Sequence, residues 1–183
     1  MGSISYPTPL NARDSIRNYM ATNLPQGHTI VASTIAPTGR HPKEDYTTVG
    51  YFAVNDGQHT TAHIILGLKH EGHAVIKTLH EDVLTEHSGM TAKVLNALTP
   101  ATNETALEWR RRARAFINYR ASVHALLRHA QKTGELVTLN QSISYTQAGT
   151  LTEIRIDPEG QWRSPDNHFR LRKPQHAWKL IAA

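Results

Sequence analysis

The chain has 183 residues, 39% of them hydrophobic and 19% charged, with a formal net charge of +5, twelve histidines and no cysteine. That length and hydrophobic content allow a buried core, and the missing cysteine excludes disulfides, thiolate zinc sites and thiol nucleophiles together. The charge excess is local: residues 1–103 hold seven Lys/Arg against eight Asp/Glu, residues 104–132 seven against two, and residues 133–183 six against five, so a basic surface is expected on one segment rather than everywhere.

No basic and apolar leader opens the sequence and no run approaches ~20 consecutive apolar residues, so a cytoplasmic, soluble protein with no membrane span is expected. The stretch 11–24 carries Ile16, Met20 and Leu24 at helical spacing, Asp14 or Ser15 able to cap, and Pro25 with Gly27 to end it. Four strand-like runs follow, 28–35, 46–54, 59–68 and 73–79, with "APTGRHPKED" at 36–45 expected as a mobile loop and "NDGQ" and "HEG" as tight turns. Connections this short make hairpins and not parallel crossovers, which predicts an antiparallel meander.

Residues 91–98 predict a short helix stopped by Pro100, and Asn103 can cap a longer one running to about Lys132 before Gly134. Beyond it "ELVTL", "QSISYT", "LTEIRID", "HFRLRK" and "HAWKLIA" read as short strands between turn residues. The expected class is α+β: an antiparallel β-meander with packed helices over 1–132, followed over 133–183 by a small all-β unit, either barrel-like and separate or an extension of the first sheet. No repeat, P-loop, dinucleotide fingerprint, EF-hand loop or HExxH helix is present, and no cofactor is expected.

The long helix contains "ALEWRRRARAF" at 106–116. At ~100° per residue, Ala113, Phe116, Val123, Leu127 and Ala130 fall within about 60° of Trp109 and form an apolar stripe. Arg110, Arg111, Arg114 and Arg128 fall on an outer face, where planar guanidinium groups suit phosphate oxygens; the alternative is a solvated face. Arg112 and Arg120 project toward the stripe, so each needs a partner; a structural ion pair with Glu81, Asp82 or Glu86 is expected, the alternative being a groove in which the guanidinium meets a ligand. Near the C-terminus Arg170, Arg172 and Lys173 add to the basic set. With Trp162, Phe169 and Trp178 they read either as a stacking surface for single-stranded nucleic acid or as a half-buried strand with core aromatics.

His59, His63, His70, His73, His80 and His87 lie near Glu81, Asp82 and Glu86. A hairpin through "HEG" brings His63 beside His80, a weak metal-site pair, but the spacing matches no zinc signature and His59 lies about 13 Å from His63 at ~3.3 Å per residue. Ser122, Ser142 and Ser144 lack a nucleophile-elbow context.

The blocks "VIKTLHED" and "VLNALTPATNETALEWRRRAR" resemble an uncharacterised family of bacterial, plasmid and phage proteins, over about residues 75–114. The motif falls on Lys77, Glu81, Pro100, Asn103, Trp109, Arg110, Arg112 and Arg114; the chain departs from it with Ala113 where such proteins tend to have cysteine and with Gly89-Met90 where a glycine-proline pair is usual. The resemblance implies a mobile-element setting and brings no particular activity with it. The expected function is thus a non-enzymatic accessory protein that binds nucleic acid or a nucleoprotein complex through its basic helix. The alternatives are an inhibitor docking on an acidic surface of a defence or replication enzyme, and a His/carboxylate metal-dependent enzyme.

Overall fold

Alternation of side chains along three strands builds the first sheet and divides its two faces. The computed structural model describes residues 3–6, 12–37, 46–70, 73–84, 86–174 and 177–183. Strands β1 (Ser3–Tyr6), β2 (Thr29–Pro37), β3 (Tyr46–Asn55), β4 (Thr60–His70) and β5 (His73–His80) form one antiparallel sheet in the order β1-β5-β4-β3-β2. The meander is β2 to β5, as expected; β1, which has no strand signal beyond four residues, adds to its edge by pairing Ser3 with Lys77 and Tyr6 with Ala74. Between β3 and β4, Asn55 Oδ1 accepts from Gly57 N, while Asp56 Oδ1 accepts from Gln58 N and His59 N, all at 2.8 Å. Gly57 takes a φ of 104° there, which a side chain would resist. The loop expected over 36–45 and the "HEG" turn fall largely on residues outside the described ones.

Period two then decides what each face meets. Val49, Tyr51 and Ala53 of β3, Ala62, Ile64 and Leu66 of β4, and Leu79 of β5 are buried with Leu84, Met90, Val94, Leu95, Trp109 and Ala113. Those partners come from the segment after β5, from α2 (Ala92–Ala97) and from α3 (Glu104–Thr133). On the other face Phe52, Val54, Ile65 and Ile76 are buried under Ile16 and Met20 of α1 (Ala12–Asn23). Gly50 permits this approach: a Cβ there would lie 2.6 Å from Phe52 Cε2 and 2.7 Å from Ile16 Cγ2. Thr91 caps α2 and Asn103 caps α3, its Oδ1 accepting from Ala106 N at 3.1 Å.

The chain divides into two compact units, Met1–Ile117 and Asn118–Ala183, and the division falls inside α3, whereas the expected boundary at 132/133 lies at its end. In the second unit a separate three-stranded antiparallel sheet is formed by β6 (Val137–Tyr145), β7 (Gly149–Ile156) and β8 (Trp162–Arg163). Trp162, 2% exposed, is the largest side chain of a core that also holds Val123 and Ala130 of α3, Val137, Leu139, Ile154 and Ile181. Arg155 is structural: its Nη1 donates to Gly134 O, and its Nε and Nη2 donate to Pro165 O at 3.2 and 3.1 Å.

Three strand expectations are corrected here. "ELVTL" and "QSISYT" merge into the single strand β6. "HFRLRK" makes one bridge, Arg163 with Arg170, and Leu171 N donates to Trp162 O. A turn built on Ser164 and Asp166 holds that segment, with Phe169 N donating to Ser164 Oγ, so it does not extend as a strand. In "HAWKLIA" Ala177–Leu180 form a 3₁₀ turn, and among the described residues only the end of the segment pairs with β6, through the antiparallel bridge of Ile181 with Leu139; Tyr119 Oη donates to Ile181 O and Trp178 O.

Candidate functional site

The arginine-rich turns of α3 are less free than their sequence implies. Arg110 turns inward: Nη1 donates to Thr99 O and Nη2 to Glu81 Oε1, each at 2.5 Å, and its Nε is buried without a partner. Glu81 Oε1 also accepts from Ala62 N at 2.9 Å, so the carboxylate ties helix to sheet. Arg111 and Arg112 are exposed but share one carboxylate. Arg111 Nε and Nη2 donate to Glu108 at 2.8 Å and Arg112 Nε donates to it at 2.9 Å. Hydrogen bonds from Arg111 and then Arg112 hold the Glu108 carboxyl down at about 2, so it stays charged throughout the working range. Arg114 Nη2 donates to Asn96 Oδ1 at 2.5 Å.

Two placements are therefore corrected. The ion pair with Glu81 is made by Arg110, expected outside, and not by Arg112, expected inside. Arg120 lies 5.8 Å over the Trp178 ring within the second unit, where Lys179 Nζ lies 5.5 Å from the same ring. The cause is a phase error. In the first unit the buried helix positions are Ala106, Trp109 and Ala113, with Ile117 packed beside them; in the second they are Val123 and Ala130, with Tyr119, Leu126 and Leu127 beside them. At ~100° per residue the first set centres roughly 45° from Trp109 toward Arg110, and the second roughly 55° the other way. A single wheel fitted to all of α3 averages two stripes and assigns Arg110 and Arg112 to the wrong sides.

Trp109 and the segment before α2 make a second polar knot. Trp109 Nε1 donates to Glu86 O at 2.9 Å; Glu86 Oε1 accepts from Ser88 N at 2.8 Å, Ser88 Oγ at 2.6 Å and Tyr51 Oη at 3.3 Å. Burial alone would raise the Glu86 carboxyl, but the two Ser88 hydrogen bonds, aided by His87 and Tyr51, bring it below its ordinary value. Lys77 is partly buried on β5 opposite Leu66.

The second unit carries more of the charge. Residues 118–183 hold nine Lys/Arg against five Asp/Glu, and residues 1–117 eleven against ten. Several of the nine are internally bound: Arg155 as above, Arg163 by Asn167 at 3.0 Å, and Arg170 by Gln161 at 3.2 and 2.7 Å. Among the described residues Arg128 and Lys173 are exposed with no ion pair or hydrogen bond, and they meet, one from α3 and one from the segment after β8, at one pocket of about 230 Å³. His124, Leu127, Gln131, Ile156, Gly160 and the buried Trp162 complete its lining. Gln131 Nε2 donates to Pro158 O at 2.7 Å, which fixes one wall. His124, Arg128 and Gln131 stand at i, i+4 and i+7 of α3, a spacing present in the sequence but overshadowed by the arginine cluster upstream. Arg172 is exposed two residues from Arg170. Trp162 is in the core and so takes no part in a stacking surface.

The histidine expectation holds in geometry. His63 pairs with His80 across β4 and β5, ring centroids 4.9 Å apart and nearly perpendicular. Burial, then the neighbouring His80, pushes the His63 imidazole below its ordinary value. Glu81 is committed to Arg110 and Ala62 N, and among the described residues no three His, Asp or Glu side chains converge as a metal site would require. No described helix is long and apolar enough to cross a membrane.

No family model matches the chain, and no curated protein or solved structure matches it. Of the motif residues, Asn103 caps α3, Trp109 anchors on Glu86, and Arg110 locks on Glu81 and Thr99.

Proposed function

We propose that the second unit binds nucleic acid through its phosphate backbone, with Arg128 and Lys173 as the central contacts and Arg172 beside them. The observation that carries this reading is the convergence of Arg128 and Lys173, both exposed and without an ion pair among the described residues, on one small pocket of mixed polar and apolar lining. A phosphate group there would meet a bidentate guanidinium, an ammonium and the His124 ring, while Leu127, Gln131, Ile156 and Gly160 bound the space. Arg111, Arg112 and Arg114, held by Glu108 and Asn96, are outside this interface. Pocket contacts of this kind read charge and not sequence, which fits an accessory module of a nucleoprotein complex more closely than a sequence-specific regulator.

Fluorescence anisotropy with labelled single- and double-stranded DNA and RNA tests it. The double substitution Arg128→Glu with Lys173→Glu is expected to weaken binding at least about a hundredfold at low salt, as for two lost and reversed phosphate contacts. Wild-type affinity in that variant would overturn the reading.

A further inference from the structure

A second pocket, in the first unit, lies on the α1 face of the five-stranded sheet and encloses about 480 Å³. That is within the usual span of small-molecule sites, roughly 300–1,000 Å³. It arises because α1 stops at Asn23, and the chain turns away through Pro25 and Gly27 before the helix covers the ends of β4 and β5. Along that face the sheet changes from Ile65 and Ile76, buried under α1, to Thr78, His63 and His80, which line the gap. Leu24, Pro25, Val54 and Val83 supply apolar walls. Val83 is 46% exposed, an apolar side chain left at the rim.

The polar groups are of one kind. Asp82 is exposed, has no ion pair or hydrogen bond among the described residues, and is the one fixed charge among the described lining residues; none of them is lysine or arginine. Thr78 Oγ1 donates to Tyr19 Oη at 3.0 Å, leaving the Tyr19 ring and hydroxyl at the wall. The pocket sits at the C-terminal, negative end of α1, whose last turn has no basic residue to offset it. Anions are disfavoured by each of these features, whereas a cation gains a carboxylate, imidazole acceptors and an aromatic face.

We propose that this pocket is a binding site for a small organic amine, its apolar body against Leu24, Pro25 and Val54 and its ammonium toward Asp82 and the His63–His80 pair. Three probes of one size separate charge from shape: phenethylamine, phenylacetate and phenethyl alcohol, titrated into the ¹⁵N-labelled full chain while the His63 and His80 ring signals are followed. Phenethylamine is expected to shift both rings in a saturable way and to bind at least about fivefold more tightly than phenylacetate, the contrast that a partly exposed charge pair supports. Asp82→Asn, a change at an exposed side chain, is expected to remove most of that preference and to leave phenethyl alcohol unaffected. Equal binding of amine and acid, no shift of either ring with any probe, or an unchanged preference in Asp82→Asn would each overturn the proposal. Nucleic-acid binding by the second unit has no part in this readout.

Discussion

Arg110 is joined to Glu81 at 2.5 Å, with the two side chains only 15% and 18% exposed, and this pair ties α3 to β4 through Ala62 N. An arginine from the most basic turn of the sequence is thus a structural element of the first unit. Removing one partner leaves a charge with little water around it. Arg110→Ala or Glu81→Ala is expected to destabilise the protein by about 3 kcal/mol, measured by urea unfolding. The double variant Arg110→Met with Glu81→Leu should recover at least half of that loss, because the cost lies mainly in the stranded charge.

Glu108 holds two guanidinium groups at once. Both arginines are solvent-exposed, 70% and 55%, so the cluster adds little stability and is already partly neutralised as a phosphate ligand. Arg111→Glu is therefore expected to change DNA affinity less than about threefold, against at least about tenfold for Arg128→Glu. Anisotropy on the two single variants decides between them.

His63 gives a pH dependence with a definite sign. Its folded-state value lies below the ordinary 6.5, because of burial first and His80 second. Above about 6.5 the imidazole is neutral in both states and the associated stability is fully present; as pH falls below it, the unfolded chain takes up the proton more readily, and that stability is lost toward the lower folded-state value. Urea midpoints measured between pH 7.5 and 5.5 should fall, and His63→Gln should flatten that slope.

Gly50 faces Ile16 and Phe52 at a distance where no Cβ fits. Gly50→Ala is expected to force α1 from the sheet and to cost about 1–3 kcal/mol by overpacking. Gly57→Ala is expected to act by another route, through the φ of 104° in its turn. In thermal unfolding the losses from Gly50→Ala and Ile16→Ala should be less than additive, because Ile16→Ala removes one of the two clashes, whereas those from Gly57→Ala and Ile16→Ala should add.

Much of the scaffold was legible because local signals agreed with tertiary demand. The four meander strands, the Asn103 cap and the His63–His80 pairing follow from alternation, turn residues and register. What failed depended on contacts that no local pattern records. β1 is a strand because β5 offers an edge. The alternation of "HFRLRK" suits a strand, yet the Ser164–Asp166 turn takes the backbone elsewhere. Arg110 and Arg112 exchanged roles because α3 serves two cores with two sets of buried positions. At the candidate interface Arg128 and Lys173 were each legible as basic residues; their meeting at one pocket, with His124 and Gln131, required the fold.

The most direct test of the phosphate-binding reading is the salt dependence of DNA affinity for the wild-type chain and for Arg128→Ala with Lys173→Ala. The log–log slope is expected to be steep in the wild type and to fall by about 2 in the double variant, near one unit for each lost phosphate contact. A slope that is the same in both proteins, or no binding at low salt, would contradict it.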